Sequence, residues 1–195
     1  RLIEDARTRG IEVLVDGTHA PGQIPVDISA MDPDYFVGSF HKWVSAPKGT
    51  GFLYVPVSKQ HRFRPVCLSS RAHKVRPERA LFLRDFDYMG TDDYTAMLSV
   101  PAAIDFFANL PGGWPGVMQA NHDLVMKGRE VLCDALGIDA PAPESMIGTM
   151  APRRLRTPRT DSGCRGRWVI SDHPLISRTA MMSTPYWSLS MAKLM

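Results

Sequence analysis

The stretch Tyr35-Phe36-Val37-Gly38-Ser39-Phe40-His41-Lys42-Trp43 joins a short apolar run to a cluster of polar side chains. Tyr35–Ser39 follows the turn Asp32-Pro33-Asp34 and is rich in residues that favour strands, which predicts a β-strand. An earlier apolar run, Ile11–Val15, is a second predicted strand, buried and ending at Asp16. We therefore expect each strand to present reactive side chains beyond its carboxyl end.

The flanking sequence predicts an α/β sheet. Leu2–Arg7 is typical of the end of a helix, with Gly10 as its C-cap. Beyond the lysine, Pro47–Gly51 is a predicted tight loop before a third strand, Phe52–Val55. An order of helix, strand, connection and strand is typical of α/β folds, in which ligands bind beyond the carboxyl ends of strands.

The remaining sequence predicts two helices and one more strand. Residues 56–80 are irregular and basic, which indicates an excursion over the surface. Thr95–Asn109 has helical periodicity, with Pro101 early enough to be tolerated or to kink the helix. Met118–Leu136 is a longer amphipathic helix, and Ser145–Met150 is a predicted strand.

The charge is unevenly distributed along the 195 residues. Residues 1–150 hold 15 of the 23 Lys and Arg and 18 of the 20 Asp and Glu, whereas residues 151–195 carry a net charge of +6. The acidic balance of the first part gives no nucleic-acid footprint. The basic tail is either an interaction segment or a non-native reading frame, and its loss of periodicity favours the second interpretation.

Three scattered cysteines, Cys67, Cys133 and Cys164, predict a reducing, cytoplasmic environment. No run approaches the roughly 18 apolar residues of a membrane helix, so no membrane partner is expected. The sequence starts at Arg1 within a predicted helix, without an initiator Met, and we expect a fragment.

Lys42 and Asp16, 26 residues apart, suit the chemistry of pyridoxal 5'-phosphate (PLP). A lysine amine can form a Schiff base with the cofactor's aldehyde, and a carboxylate can keep the pyridine nitrogen protonated. Alone, Asp16 could also be a turn-forming residue before Gly17.

Several separated blocks, in order, resemble class V aminotransferases, in particular the isopenicillin N epimerase-like branch. The resemblance covers residues 1–150, and the blocks are Asp16–Gly22, Gly38–Trp43, Pro47–Leu53, Phe86–Ala96 and Ser99–Asp105. It implies part of the PLP-dependent transferase fold type I large domain, a mainly parallel sheet with flanking helices, incomplete at both ends. Residues 1–140 would be the C-terminal part of that domain, 141–150 the start of the small domain, and 151–195 an atypical tail.

The resemblance also implies roles for individual residues. Lys42 is the Schiff-base lysine, which moves a proton at the substrate α-carbon, and Asp16 is the partner of the pyridinium nitrogen. His19 contacts the cofactor's ring oxygen, while Ser39 and His41 bind its phosphate.

Thr91 is the position where the family supplies a phosphate contact from a neighbouring subunit. The resemblance therefore implies a homodimer with shared active sites. The alternative for Thr91 is an N-cap of the segment that begins near Asp92, and the two roles are compatible.

Three functional hypotheses remain open. The first is an enzyme of the epimerase or aminotransferase type acting on amino-acid-like substrates, and the second is a non-catalytic truncated remnant of one. The third is a cysteine desulfurase-like protein that would use Cys67. His61 and His73 lack the spacing of metal ligands, so no metal is expected, and Gly49-Thr50-Gly51 lacks the full pattern of a phosphate loop.

Overall fold

The computed structural model describes residues 1–74 and 76–152, so the predicted basic tail from residue 153 onward lies outside the described residues. The helices are α1 (Leu2–Arg7), α2 (Ile28–Met31), α3 (Leu81–Phe86), α4 (Thr95–Leu98), α5 (Val100–Ala108) and α6 (Gly113–Leu136). The strands are β1 (Leu14–Asp16), β2 (Tyr35–Ser39) and β3 (Gly51–Tyr54), and short 3-10 helices span Val57–Arg62, Ser70–His73 and Glu144–Met146.

The three strands form one sheet in the order β1-β2-β3. β1 runs parallel to β2, with Asp16 beside Val37, while β3 is antiparallel to β2. The α/β prediction is confirmed, and the described sheet is mixed. The eleven-residue connection from β2 to β3 contains no helix to carry the chain back to the other end, and so β3 returns antiparallel.

The centre of the core is β2, as its sequence predicts. Phe36 is 1% exposed, and its ring stacks on Phe52 of β3 at 5.9 Å between centroids. The prediction of a buried first strand is wrong. Leu14 is 57% exposed, because β1 has a strand partner on only one edge within the described residues.

Later elements differ from the predictions at identifiable residues. The helix expected over Thr95–Asn109 is divided at Ser99, since Pro101 has no N–H to donate to the preceding turn. The predicted strand at Ser145–Met150 is instead a 3-10 turn followed by extended chain. α6 starts five residues earlier than predicted, and Gly137, with φ of 59°, caps it as expected from a C-terminal glycine. No helix among the described residues is long and apolar enough to cross a membrane.

Candidate active site

The loops that follow β1 and β2 pack directly against each other. Gly22, in the loop after β1, has a φ of +81°, and a Cβ there would lie 2.8 Å from the Trp43 carbonyl carbon and oxygen. Only a glycine fits both this conformation and this close approach. The contact places the loop of Asp16 and His19 beside the segment that carries Lys42.

Asp16 ends β1 and is fixed by the residue pair that follows it. Its Oδ1 accepts a hydrogen bond from the Thr18 backbone N–H at 3.1 Å. Hydrogen bonds from Thr18 and, to a lesser degree, the positive charges of Lys42 and His19 lower the pKa of Asp16 below its ordinary value. Asp16 is therefore a carboxylate at neutral pH, as a partner for a protonated ring nitrogen must be.

His19 shares this electrostatic environment. Burial lowers the pKa of His19, the charge of Lys42 lowers it further, and Asp16 opposes both effects. Because Lys42 acts on the pKa of both Asp16 and His19, the three predicted site residues lie in one neighbourhood. His19 is consequently a neutral imidazole at neutral pH, able to donate or accept one hydrogen bond.

A second polar group occupies the end of β2. His41 Nδ1 lies 2.7 Å from the Thr50 carbonyl oxygen, which can only accept, so the proton is on Nδ1. The same carbonyl accepts from the Phe40 N–H at 3.1 Å. Ser39 Oγ, only 4% exposed as a residue, lies 3.0 Å from His41 Nδ1 and cannot donate to that protonated nitrogen. The Ser39 hydroxyl thus keeps its hydrogen for another acceptor.

Thr91 lies apart from these loops in chain position and is exposed. The alternative role predicted for it, a helix N-cap, is wrong for α4. The N-cap of α4 is Tyr94, and the carboxylate of Asp93 accepts from both the backbone N–H and the hydroxyl of Thr95. Asp93 takes the capping role because it lies two residues before Thr95, within reach of that N–H.

Two residues important to the site geometry were not predicted from the sequence. Thr18 orients Asp16, and the spacing of two residues after an aspartate is the signal of an Asx-turn. Thr50 is 1% exposed, and its carbonyl orients His41 while its hydroxyl donates to the Pro47 carbonyl at 2.8 Å. Thr50 belongs to the Gly49-Thr50-Gly51 stretch that lacks a phosphate-loop pattern, and the structure gives it this supporting role.

The weaker candidates lie outside this arrangement. Cys67, His61 and His73 are all exposed. No cluster of three or more His, Cys, Asp or Glu among the described residues has the geometry of a metal site.

The donor set at the strand ends fits PLP. An ionised carboxylate, a neutral imidazole, a buried hydroxyl with an uncommitted hydrogen and a primary amine match the ring nitrogen, ring oxygen, phosphate and aldehyde of that cofactor. The position also agrees with the rule that ligands of α/β sheets bind beyond the carboxyl ends of parallel strands.

Comparison with known proteins gives a consistent result. The sequence profile of the family described as "Aminotransferase class-V" matches residues 1–139. The chain is 37% identical to isopenicillin N epimerase of Amycolatopsis lactamdurans and 35% identical to that of Streptomyces clavuligerus, in each case over 86% of the chain and 45% of the relative. A putative L-cysteine desulfhydrase of Oryza sativa subsp. japonica is 34% identical over 76% of the chain and 30% of its own length.

The chain thus spans about half the length, or less, of the curated relatives it matches. A match over 86% of the chain is longer than residues 1–150, so the similarity to the epimerases continues past residue 150, where the sequence motifs predicted its end.

Two solved structures share the fold. An apo cysteine desulfurase from Thermococcus onnurineus NA1 superimposes on 73% of the chain with a TM-score of 0.59 and 20% sequence identity. A cysteine desulfurase from Escherichia coli covers 69% of the chain with a TM-score of 0.51 and 22% identity. The chain covers 36% and 33% of these two structures.

Proposed function

Because the chain belongs to the class V aminotransferase family, with the α/β architecture of PLP-dependent fold type I, we propose that it forms part of the active site of a PLP-dependent enzyme acting on amino-acid-like substrates. We assign Lys42 as the residue that binds the cofactor covalently. The observation that carries the proposal is the shared electrostatic environment of Lys42, Asp16 and His19 beyond the two parallel strands.

Each side chain has a proposed task. PLP, when bound, supplies an electron sink for the electron pair left when a bond at the substrate α-carbon breaks. Asp16 accepts a hydrogen bond from the protonated ring nitrogen, with Thr18 holding the carboxylate in place. His19 contacts the ring oxygen, and Ser39 and His41 bind the phosphate, with Thr50 fixing the His41 ring.

Lys42 also has the proposed role of general base and acid. Its amine takes a proton from the substrate α-carbon and returns it. Return to the opposite face of that carbon inverts its configuration, which is epimerisation. The isopenicillin N epimerases among the relatives support this outcome over transamination.

A second candidate reaction is sulfide release from cysteine. It is favoured by a specific observation, the plant relatives named as L-cysteine desulfhydrases at 32% and 34% identity. The same Lys42 amine would remove the α-proton, and sulfide would leave from the neighbouring carbon. Assays of α-proton exchange and of sulfide release from cysteine distinguish the two reactions.

We further propose a homodimer in which Thr91 of one subunit completes the phosphate site of the other, in a cytoplasmic enzyme. The exposure of Thr91 leaves it accessible to a second copy of the chain. Residues 1–140 are assigned to the large domain and 141–150 to the start of the small domain.

The test is covalent capture of PLP. The chain is incubated with PLP, reduced with borohydride and digested, and the peptides are weighed by mass spectrometry. We expect the pyridoxyl mass on Lys42 and its loss in Lys42→Ala. Lys48→Ala is the matched control, because Lys48 is an exposed lysine only six residues away. Labelling that persists on other lysines in Lys42→Ala, with none on Lys42 in the unaltered chain, would refute the assignment and favour the non-catalytic remnant.

A further inference from the structure

A chain of hydrogen bonds connects α6 to the loop that carries His19. His122, on α6, has its Nδ1 3.0 Å from the Gly148 carbonyl oxygen, and so donates to it. The next backbone N–H, of Thr149, lies 3.4 Å from Gln23 Oε1. The other end of the same amide, Gln23 Nε2, donates to the His19 carbonyl at 3.2 Å. One glutamine therefore joins the backbone of the segment after α6 to the backbone of the proposed cofactor loop.

The amide orientation follows from its two partners. A carbonyl oxygen requires the NH2 end of Gln23, and a backbone N–H requires its oxygen end, so both contacts are satisfied by one orientation. The segment is also held by its own packing, because Ile147 and Thr149 are 9% and 8% exposed. An anchored segment can restrain a loop, whereas a loosely packed one cannot.

The space for this contact depends on a glycine. A Cβ at Gly148 would overlap Gln23 Oε1 and would lie 3.2 Å from Ile24 Cγ2. Gln23 Oε1 is the end of a flexible side chain, so an added methyl group displaces the amide rather than the backbone. The chain thus offers two independent ways to break one contact, from Gln23 and from Gly148.

We propose that Gln23 is a positioning residue, which holds the His19 loop against the segment formed by Glu144–Met150 and so fixes the imidazole beside Asp16 and Lys42. The inference deepens the proposed function and rests on it for its catalytic meaning. Its structural content concerns the folded chain itself and can be tested without PLP.

The test is the titration of His19, followed by NMR of the histidine ring and assigned with His19→Gln. In the unaltered chain the pKa of His19 lies below its ordinary value of 6.5 through burial and the charge of Lys42, with Asp16 acting in the opposite direction. In Gln23→Met, which keeps most of the side-chain volume and removes both hydrogen bonds, we expect the pKa to rise towards 6.5. Gly148→Ala should raise it in the same direction.

The control is Gln60→Met. Gln60 Nε2 also donates to a backbone carbonyl, that of Val55 at 3.1 Å, but in a part of the chain away from the loop after β1. It should leave the titration of His19 unchanged. An equal titration of His19 in the unaltered chain, Gln23→Met and Gly148→Ala overturns the proposal, as does an equal shift in Gln60→Met.

The two proposals fail separately. Lack of PLP capture on Lys42 together with a shifted His19 titration in Gln23→Met refutes the proposed function and leaves the structural link intact. Capture on Lys42 together with an unchanged titration refutes only the role of Gln23. When both hold, Gln23→Met should also weaken PLP binding several-fold, whereas Gln60→Met should not.

Discussion

The two ends of β1 and β2 are built on different principles. At the amino end, Lys59 bridges Glu12 and Asp34, and the network includes the Tyr35 hydroxyl. At the carboxyl end, the polar groups are oriented mainly by backbone atoms. Charges are paired with one another at the first end, where they join the chain segments, and are left able to engage a ligand at the second. The difference indicates that one end supports the sheet and the other carries the chemistry.

The largest expected effect comes from filling the close contact at the carboxyl end. Gly22→Ala combines a left-handed residue with a Cβ 2.8 Å from the Trp43 backbone, so we expect a loss of about 3 kcal/mol in the free energy of unfolding and loss of PLP capture. Gly49→Ala is the control, because Gly49 has a φ of +89° and no neighbouring atom within 4 Å of the added Cβ. Urea denaturation measures both variants, and equal losses would contradict the role of the Trp43 contact.

The second effect is at the amino end and should alter stability without altering the site. Asp34 accepts from the Val13 N–H at 2.7 Å and from Lys59, and its side chain is 16% exposed. Asp34→Ala removes both partners, and we expect a loss of about 2 kcal/mol in the free energy of unfolding. PLP capture on Lys42, measured under conditions where the variant is folded, should be retained. Its loss would mean that the two ends are not independent.

The sequence predicts the elements of this comparison better than their details. β2 is confirmed at its predicted bounds, since an apolar run between a turn and polar residues allows few alternatives. Asp16, His19 and Lys42 are brought together as the motifs predict, because parallel strands place their carboxyl ends at one edge. The roles of Thr50 and Gln23 depend on backbone carbonyls that are distant in sequence, 9 residues for His41–Thr50 and 126 for Gln23–Thr149, and no local pattern encodes such partners.

A third, smaller effect separates ligand binding from stability at the carboxyl end. Ser39→Ala removes a buried hydroxyl whose hydrogen is not donated to His41. We expect PLP binding to weaken about tenfold, as for the loss of one hydrogen bond to a charged group. The free energy of unfolding should change by under about 1 kcal/mol, because no protein acceptor of this hydroxyl is lost. Titration with PLP and urea denaturation provide the two values, and unchanged PLP affinity would remove Ser39 from the phosphate site.

The smallest effect is a pH dependence confined to the amino end. Contacts with Arg62, Lys59 and Tyr35 lower the pKa of Glu12 from 4.5 to about 2 in the folded chain. A depressed folded-state pKa means that the stabilisation is fully present above pH 4.5 and is lost as the pH falls towards 2. The urea midpoint of the unaltered chain should therefore fall in this window.

Glu12→Gln should flatten this fall, because glutamine does not titrate. Glu78→Gln, at an exposed glutamate, is the matched control and should leave the slope unchanged. PLP binding at neutral pH should be equal in all three proteins, because Glu12 and Asp16 lie at opposite ends of the same short strand segment. A shift in PLP affinity with Glu12→Gln would show that the ion pairs around Lys59 transmit their effect along β1 to the site, and the division between a supporting end and a chemical end would no longer hold.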